Sequence, residues 1–180
     1  STEYYKFLMN KKKQFLWEKN SLKNKGVKTY FQKAEGQINE KLLIVYAFFE
    51  MEIFLSMIED ITKIKLDNTS LEAIKKDIIT TISSENESKA PPINRLKNKY
   101  SSIIEKLNNL YQTHLKVLKK SEKVQLFVQI LNNLKLPDLI KEKEKLKKMI
   151  TKSTNKNETY KMINRYNLLI DEINVIKKKS

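Results

Sequence analysis

The sequence predicts an all-α protein: a single compact bundle of about six or seven helices, spanning residues 1–180 as one domain, around a central apolar helix at about residues 37–65. Three observations carry that expectation. Gly and Pro together supply only five of the 180 residues, so there is little material for the tight turns that join β-strands. Ile, Leu, Lys, Glu and Asn fill long stretches in which apolar residues return every three or four positions, the period of an amphipathic helix. The length is that of one domain, sufficient for a core without disulfide or metal support.

Taken in order, residues 4–23 read as a first helix, with Tyr4, Phe7, Leu8, Phe15 and Leu16 apolar and Lys11, Lys12 and Lys13 interrupting them. Gly26 and Gly36 bracket a weaker stretch. The strongest helix follows over about 37–65, where Ile38, Leu42, Val45, Phe49, Phe54, Met57, Ile58 and Ile61 recur at helical steps. It is apolar around much of its circumference and is therefore expected at the centre, with residues 42–55 buried. Asp67, Asn68, Thr69 and Ser70 end it, and Thr69 with Glu72 has the spacing of a capping box. A short amphipathic helix then shows Leu71, Ile74, Ile78 and Ile82 on one face. Residues 83–92 form the clearest loop, because Pro91 and Pro92 oppose helix there, and the chain is expected to be most mobile and most open to proteolysis at this point.

Residues 93–120 read as a fourth helix with Leu96, Tyr100, Ile103, Leu107, Leu110, Tyr111, Leu115 and Leu118 on one stripe. Residues 121–136 continue with Val124, Phe127, Val128, Leu131 and Leu134 until Pro137, which is expected to stop or kink the helix, with Asp138 capping the next segment. Leu139, Ile140, Leu146, Met149 and Ile150 line a highly charged helix. Residues 151–157 are a polar loop, and residues 160–176 close the bundle through Ile163, Tyr166, Ile170 and Ile173.

The charge is strongly positive, +15 at pH 7, and it is carried by 34 Lys against 2 Arg. It is also polarised along the chain. Residues 1–35 hold 9 basic and 3 acidic side chains, residues 36–90 hold 6 and 10, and residues 91–180 hold 21 and 8. Two readings stand side by side. The excess of Lys, Asn and Ile is what AT-rich codon usage leaves on solvated faces. Alternatively, the lysines serve diffuse attraction to polyanions, since bidentate reading of phosphates and guanines is mainly the work of Arg.

Little in the composition suits catalysis. Without cysteine, disulfides, thiolate zinc sites and thiol catalysis are excluded. His114 is the single histidine, and the residue three before it is Tyr111, so the paired Glu-x-x-His motifs of di-iron bundles are missing. Glu50 with Glu52, and Glu59 with Asp60, stand at spacings that send them to different sides of a helix. Lone glycines at 26 and 36 do not make a phosphate loop. No catalytic residue, cofactor or metal site is expected, and the protein is not expected to be an enzyme. The 42–55 run, interrupted by Glu50 and Glu52, is also too short and too charged to span a bilayer.

Three basic clusters remain as candidates for binding. Lys11, Lys12 and Lys13 form one. Lys141, Lys143, Lys145, Lys147 and Lys148 form another, which Glu142 and Glu144 are expected to neutralise in part through intrahelical pairs. The densest is Lys116, Lys119, Lys120 and Lys123, offset only by Glu122, and helical spacing puts all four on one face. These four lysines are the candidate patch.

Stretches such as Leu107-Asn108-Asn109-Leu110-Tyr111 and residues 130–135 (Ile-Leu-Asn-Asn-Leu-Lys) give the whole chain a texture that resembles the mature domains of spirochaete (Borrelia-type) outer-surface lipoproteins. The resemblance implies a non-enzymatic protein held at the cell surface by a lipidated N-terminal segment, binding host or vector molecules. Ser1-Thr2 opens the chain without an initiator Met, so removal of an upstream leader, tether or tag is expected. The leading expectation is a surface-displayed helical bundle that recognises a host or vector protein or an acidic glycan. An intracellular nucleic-acid-binding or plasmid-maintenance protein is the alternative, supported by the basic segments and a pI near 9.7. A bundle enclosing an apolar ligand along residues 48–57 is a third.

Overall fold

The computed structural model describes residues 25–84 and 92–179. The protein is all-α: eight α-helices and one π turn, with no strand, among the described residues. The expected helix at 4–23, Lys11 to Lys13 and most of the 83–92 loop lie outside those residues. The chain divides into two compact units, residues 1–128 and 129–180.

In the first unit, helix α1 (Lys25–Phe49) is followed by two short helices, α2 (Met51–Ser56) and α3 (Ile58–Lys63). Residues 42–48 are seven consecutive buried positions, so α1 is enclosed on every side there. Each such aliphatic or aromatic side chain stabilises the fold by about 1.5–3 kcal/mol through burial. The central helix differs from expectation at both ends. It begins before Gly36 and runs through it, and it does not continue to residue 65. The chain breaks at Glu50 (φ −134°, ψ 51°) and again at Met57 (φ −123°, ψ 25°). A straight helix as apolar as 37–65 would have to be enclosed along its whole length. The breaks redirect the chain, so Glu52 and Glu59 reach solvent while Ile53, Phe54 and Ile61 stay buried. Leu55 is exposed and Phe49 half-buried, so burial of the 42–55 segment is not complete.

Helix α4 (Thr69–Ser83) packs on α1 through its Leu71, Ile74 and Ile78 stripe. The capping box expected from Thr69 and Glu72 is not the one formed. Asn68 is the N-cap, its Oδ1 accepting from the Leu71 amide at 3.1 Å. That releases Glu72 to accept from the Leu66 amide at 2.8 Å and to pair with Lys75 at 3.0 Å. Lys75, almost fully buried, donates to the Ile64 carbonyl. From α1, the buried Glu40 carboxylate accepts from the Asp67 and Asn68 amides. The 64–68 turn is therefore held by two buried charged side chains, Glu40 and Lys75, and the part-buried Glu72, each hydrogen-bonded, as buried charge requires.

The helix expected over 93–120 is divided. Helix α5 (Pro92–Lys99) takes Pro92 as its first residue, the position where a missing N–H costs nothing. After a break at Tyr100, α6 (Ser101–Leu110) leads into the π turn Tyr111–Leu115, closed by the Lys116 amide on the Tyr111 carbonyl at 2.9 Å. A π turn winds more residues per turn than an α-helix, which returns the buried Leu115 towards the side of the buried Leu107. Asp77 on α4 ties down the break at Tyr100: its Oδ2 accepts from Lys99 Nζ and from the Tyr100 hydroxyl, both at 2.6 Å.

Helix α7 (Lys120–Lys152) contains the division between the units, and it runs unbroken through Pro137. The expected stop there does not occur, and Asp138 caps nothing. In the second unit, the turn at 153–155 leads to α8 (Lys156–Lys179), where Asn155 Oδ1 accepts from the Asn157 and Glu158 amides at 3.0 and 3.2 Å. Leu169, Ile173 and Ile176 are the buried stripe of α8. Arg165 grips Glu142 with two hydrogen bonds, Nε to Oε1 at 2.9 Å and Nη2 to Oε2 at 3.1 Å.

Candidate functional site

The four candidate lysines do not share one helix. Lys116 and Lys119 stand in the turn that leaves the π segment, whereas Lys120 and Lys123 belong to the first turn of α7. The one-face geometry expected from helical spacing is therefore corrected: the π turn and the bend after it separate the four.

Two of the four are engaged with carboxylates distant in sequence. Lys123, only 15% exposed at its side chain, pairs with Glu50, which is similarly covered. Its ammonium also lies 5.8 Å from the centre of the Tyr111 ring, and that ring stacks on Phe49 at 4.6 Å. Lys120 pairs with Glu52 at 2.8 Å in open solvent. Glu50 and Glu52 thus diverge to two different lysines, and no acid–base pair forms between them. The backbone of the same turn is held by Tyr46, whose buried ring stacks on Phe127 at 4.3 Å while its hydroxyl donates to the Lys123 carbonyl at 2.7 Å. Glu122 accepts from the Lys119 amide at 2.8 Å, and that bond holds its carboxyl below the usual range.

This start of α7 is thus a docking seam within the first unit as much as a cationic surface. Lys116 and Lys119 are its exposed residues without an ion pair among the described residues. Glu50 and Glu52, 73 and 68 residues before their lysine partners, are the part that counting lysines misses. Their one signal was two carboxylates placed in an otherwise apolar run.

In the third basic cluster the expected intrahelical pairing is met at Glu144 and not at Glu142. Glu142 turns to Arg165 on α8, and Glu144 pairs with its neighbour Lys143 at 3.5 Å. Next to it, Ser153, Thr154, Lys156, Thr159, Tyr160 and Ile163 line an open depression of about 360 Å³. The Thr159 and Ser153 hydroxyls bond to each other at 2.6 Å and thereby shape the turn. Along residues 48–57 the rings serve as core: Phe54 lies 6.3 Å from Phe127, and Phe48 6.4 Å from Tyr100. Among the described residues, no three His, Asp or Glu side chains gather as a metal site, and no helix is long and apolar enough to cross a membrane.

No protein-family model matches this chain, and no curated protein or solved structure matches it.

Proposed function

We propose that the protein is a non-enzymatic helical binding protein, displayed at a cell surface, that recognises a host or vector protein or an acidic glycan. The observation that supports this reading best is the disposition of charge. In a chain of +15, Glu50 and Glu52 pair with Lys123 and Lys120 and Glu142 is engaged by Arg165, which leaves most of the lysine surplus without a carboxylate. Lysines such as Lys116 and Lys119 are left facing solvent, and an acidic partner is the natural complement of such a surface. The compositional resemblance to spirochaete outer-surface lipoproteins supports surface display through a lipidated segment upstream of Ser1.

Two measurements test it. Protease treatment of intact cells should remove the protein without lysing them; full protection would return it to the cell interior. Purified protein should bind immobilised acidic glycans or acidic proteins at 150 mM NaCl more tightly than duplex DNA. Saturable DNA binding of equal or greater strength would favour the nucleic-acid alternative instead.

A further inference from the structure

The pairing of Glu142 with Arg165 leaves one face of α7 with a single chemistry. Lys141, Lys145, Lys148 and Lys152 follow one another at steps of four, three and four residues, and all four are exposed. At about 100° per residue they stay within a narrow band on one side of the helix, opposite the half-buried Leu139, Leu146 and Ile150. The row is about 16 Å long, with a positive charge every 5 Å or so. Lys141 has only a loose contact with Asp138 at 3.8 Å, and Lys145, Lys148 and Lys152 make no ion pair among the described residues.

We infer that this row is a binding rail for a linear sulfated polysaccharide, which deepens the acidic-partner reading and rests on it. The shape of the surrounding charge selects the ligand class. Carboxylates flank the row on both sides, Glu144 on one shoulder and Asp138 on the other. A duplex nucleic acid is far wider than the row and would bring phosphates over those carboxylates, whereas a single thin chain lies between them. A nucleic-acid single strand is thin enough, but its binding draws on several aromatic side chains that stack with successive bases, and α7 carries none from residue 128 to its end, the exposed Tyr160 on α8 being a single ring. Lysine ammonium groups, acting as point charges, suit sulfates on a flexible sugar chain without demanding bidentate geometry. A glycan with a single carboxylate per disaccharide carries charge too sparsely to use all four.

The test uses a heparin octasaccharide as probe, with hyaluronan of equal length and a dT12 oligonucleotide beside it, titrated between 50 and 300 mM NaCl. The quadruple variant K141Q/K145Q/K148Q/K152Q should lose at least about tenfold in heparin affinity at 150 mM NaCl. Its log–log salt slope should flatten by up to about 3, at about 0.7 per contacted charge. A control of equal net charge at exposed lysines outside every basic cluster, K63Q/K65Q/K106Q/K161Q, should lose much less. Circular dichroism should be unchanged in both, since every substituted side chain is exposed. Equal losses in the two variants would show diffuse charge and overturn the rail. Tighter binding of dT12 than of heparin, or equal binding of hyaluronan, would overturn the ligand class. If the wild-type chain binds acidic proteins but no heparin, the rail fails while the broader reading stands; if it binds no acidic partner at all, both fall.

Discussion

Glu40 shows how much of this fold rests on single side chains. It is a carboxylate just before the fully buried run 42–48 of α1, 4% exposed, and its two oxygens take the Asp67 and Asn68 amides that open the entry to α4. Glu40→Ala strands two amides at the turn that enters α4, so it should destabilise by about 2–4 kcal/mol in urea unfolding. Phe54→Ala should cost about 3–5 kcal/mol, because Phe54 is fully buried beside Phe127. The half-buried Phe49, stacked on Tyr111, should cost clearly less, about 1–2 kcal/mol. Losses under about 1 kcal/mol at Phe54 would mean that α2 is peripheral. The carboxyls also fix the response to acid. Hydrogen bonds from Lys99 and Tyr100 hold Asp77 below its ordinary value. Burial pushes Glu72 up, but the Leu66 amide and Lys75 outweigh it and the net direction is down. A carboxyl with a depressed folded pKa contributes stability above its unfolded pKa and loses it as pH falls through the folded one. Urea midpoints should therefore drop from pH 5 towards pH 2, and Asp77→Asn should flatten part of that fall. An acid limb unchanged by Asp77→Asn would remove Asp77 from its causes.

At the scale of elements, two residues sit where helix propensity disfavours them. Gly36 lies within α1, and a Cβ placed on it meets no atom within 4 Å. Gly36→Ala should therefore raise stability by about 0.5–1 kcal/mol, and a loss instead would show a close neighbour there. Pro137 lies within α7 on an exposed position, where it denies the Asn133 carbonyl its helical partner. Pro137→Ala restores that donor and should add about 1–3 kcal/mol, read as a shift in urea midpoint. A lower midpoint would show that α7 needs the proline's geometry. These two positions also mark what periodicity reveals and what it leaves hidden. The stripe Leu71, Ile74, Ile78 was legible as a buried helix face because burial follows the 3.6-residue period. The breaks at Glu50, Met57 and Tyr100 were not, since none carries Gly or Pro; each is set by tertiary demands, such as the grip of Asp77 on Lys99 and Tyr100. Conversely, Pro137 is a strong local stop that α7 overrides. At the candidate patch, the four lysines could be read from sequence but their partners could not, because Glu50 and Lys123 meet across 73 positions.

At the scale of the whole molecule, the question is whether charge helps or hinders folding. The net charge of +15 spread over 180 residues is self-repulsive, and compaction brings the lysines closer together. Against that stand ion pairs that are mostly exposed, such as Lys120 with Glu52 and Arg165 with Glu142, worth about 0–1 kcal/mol each. Lys123 with Glu50 is more covered, and screening weakens it less. Salt acts on both sides of this balance, and it screens the many long-range repulsions as well as the few short attractions. With 36 basic side chains against 21 acidic ones, repulsions are the more numerous. Raising NaCl from 20 to 300 mM should therefore raise the thermal midpoint, and sulfate should raise it further than chloride at equal ionic strength, because it binds lysine clusters and is excluded from apolar surface. A polyanion that binds only the folded chain should act more strongly still and at far lower concentration, in proportion to the logarithm of its excess over Kd. The sign of the NaCl effect decides the matter: a midpoint that falls with salt would show that the ion-pair seam at the start of α7, and not the surplus of lysine, governs the electrostatics of the fold.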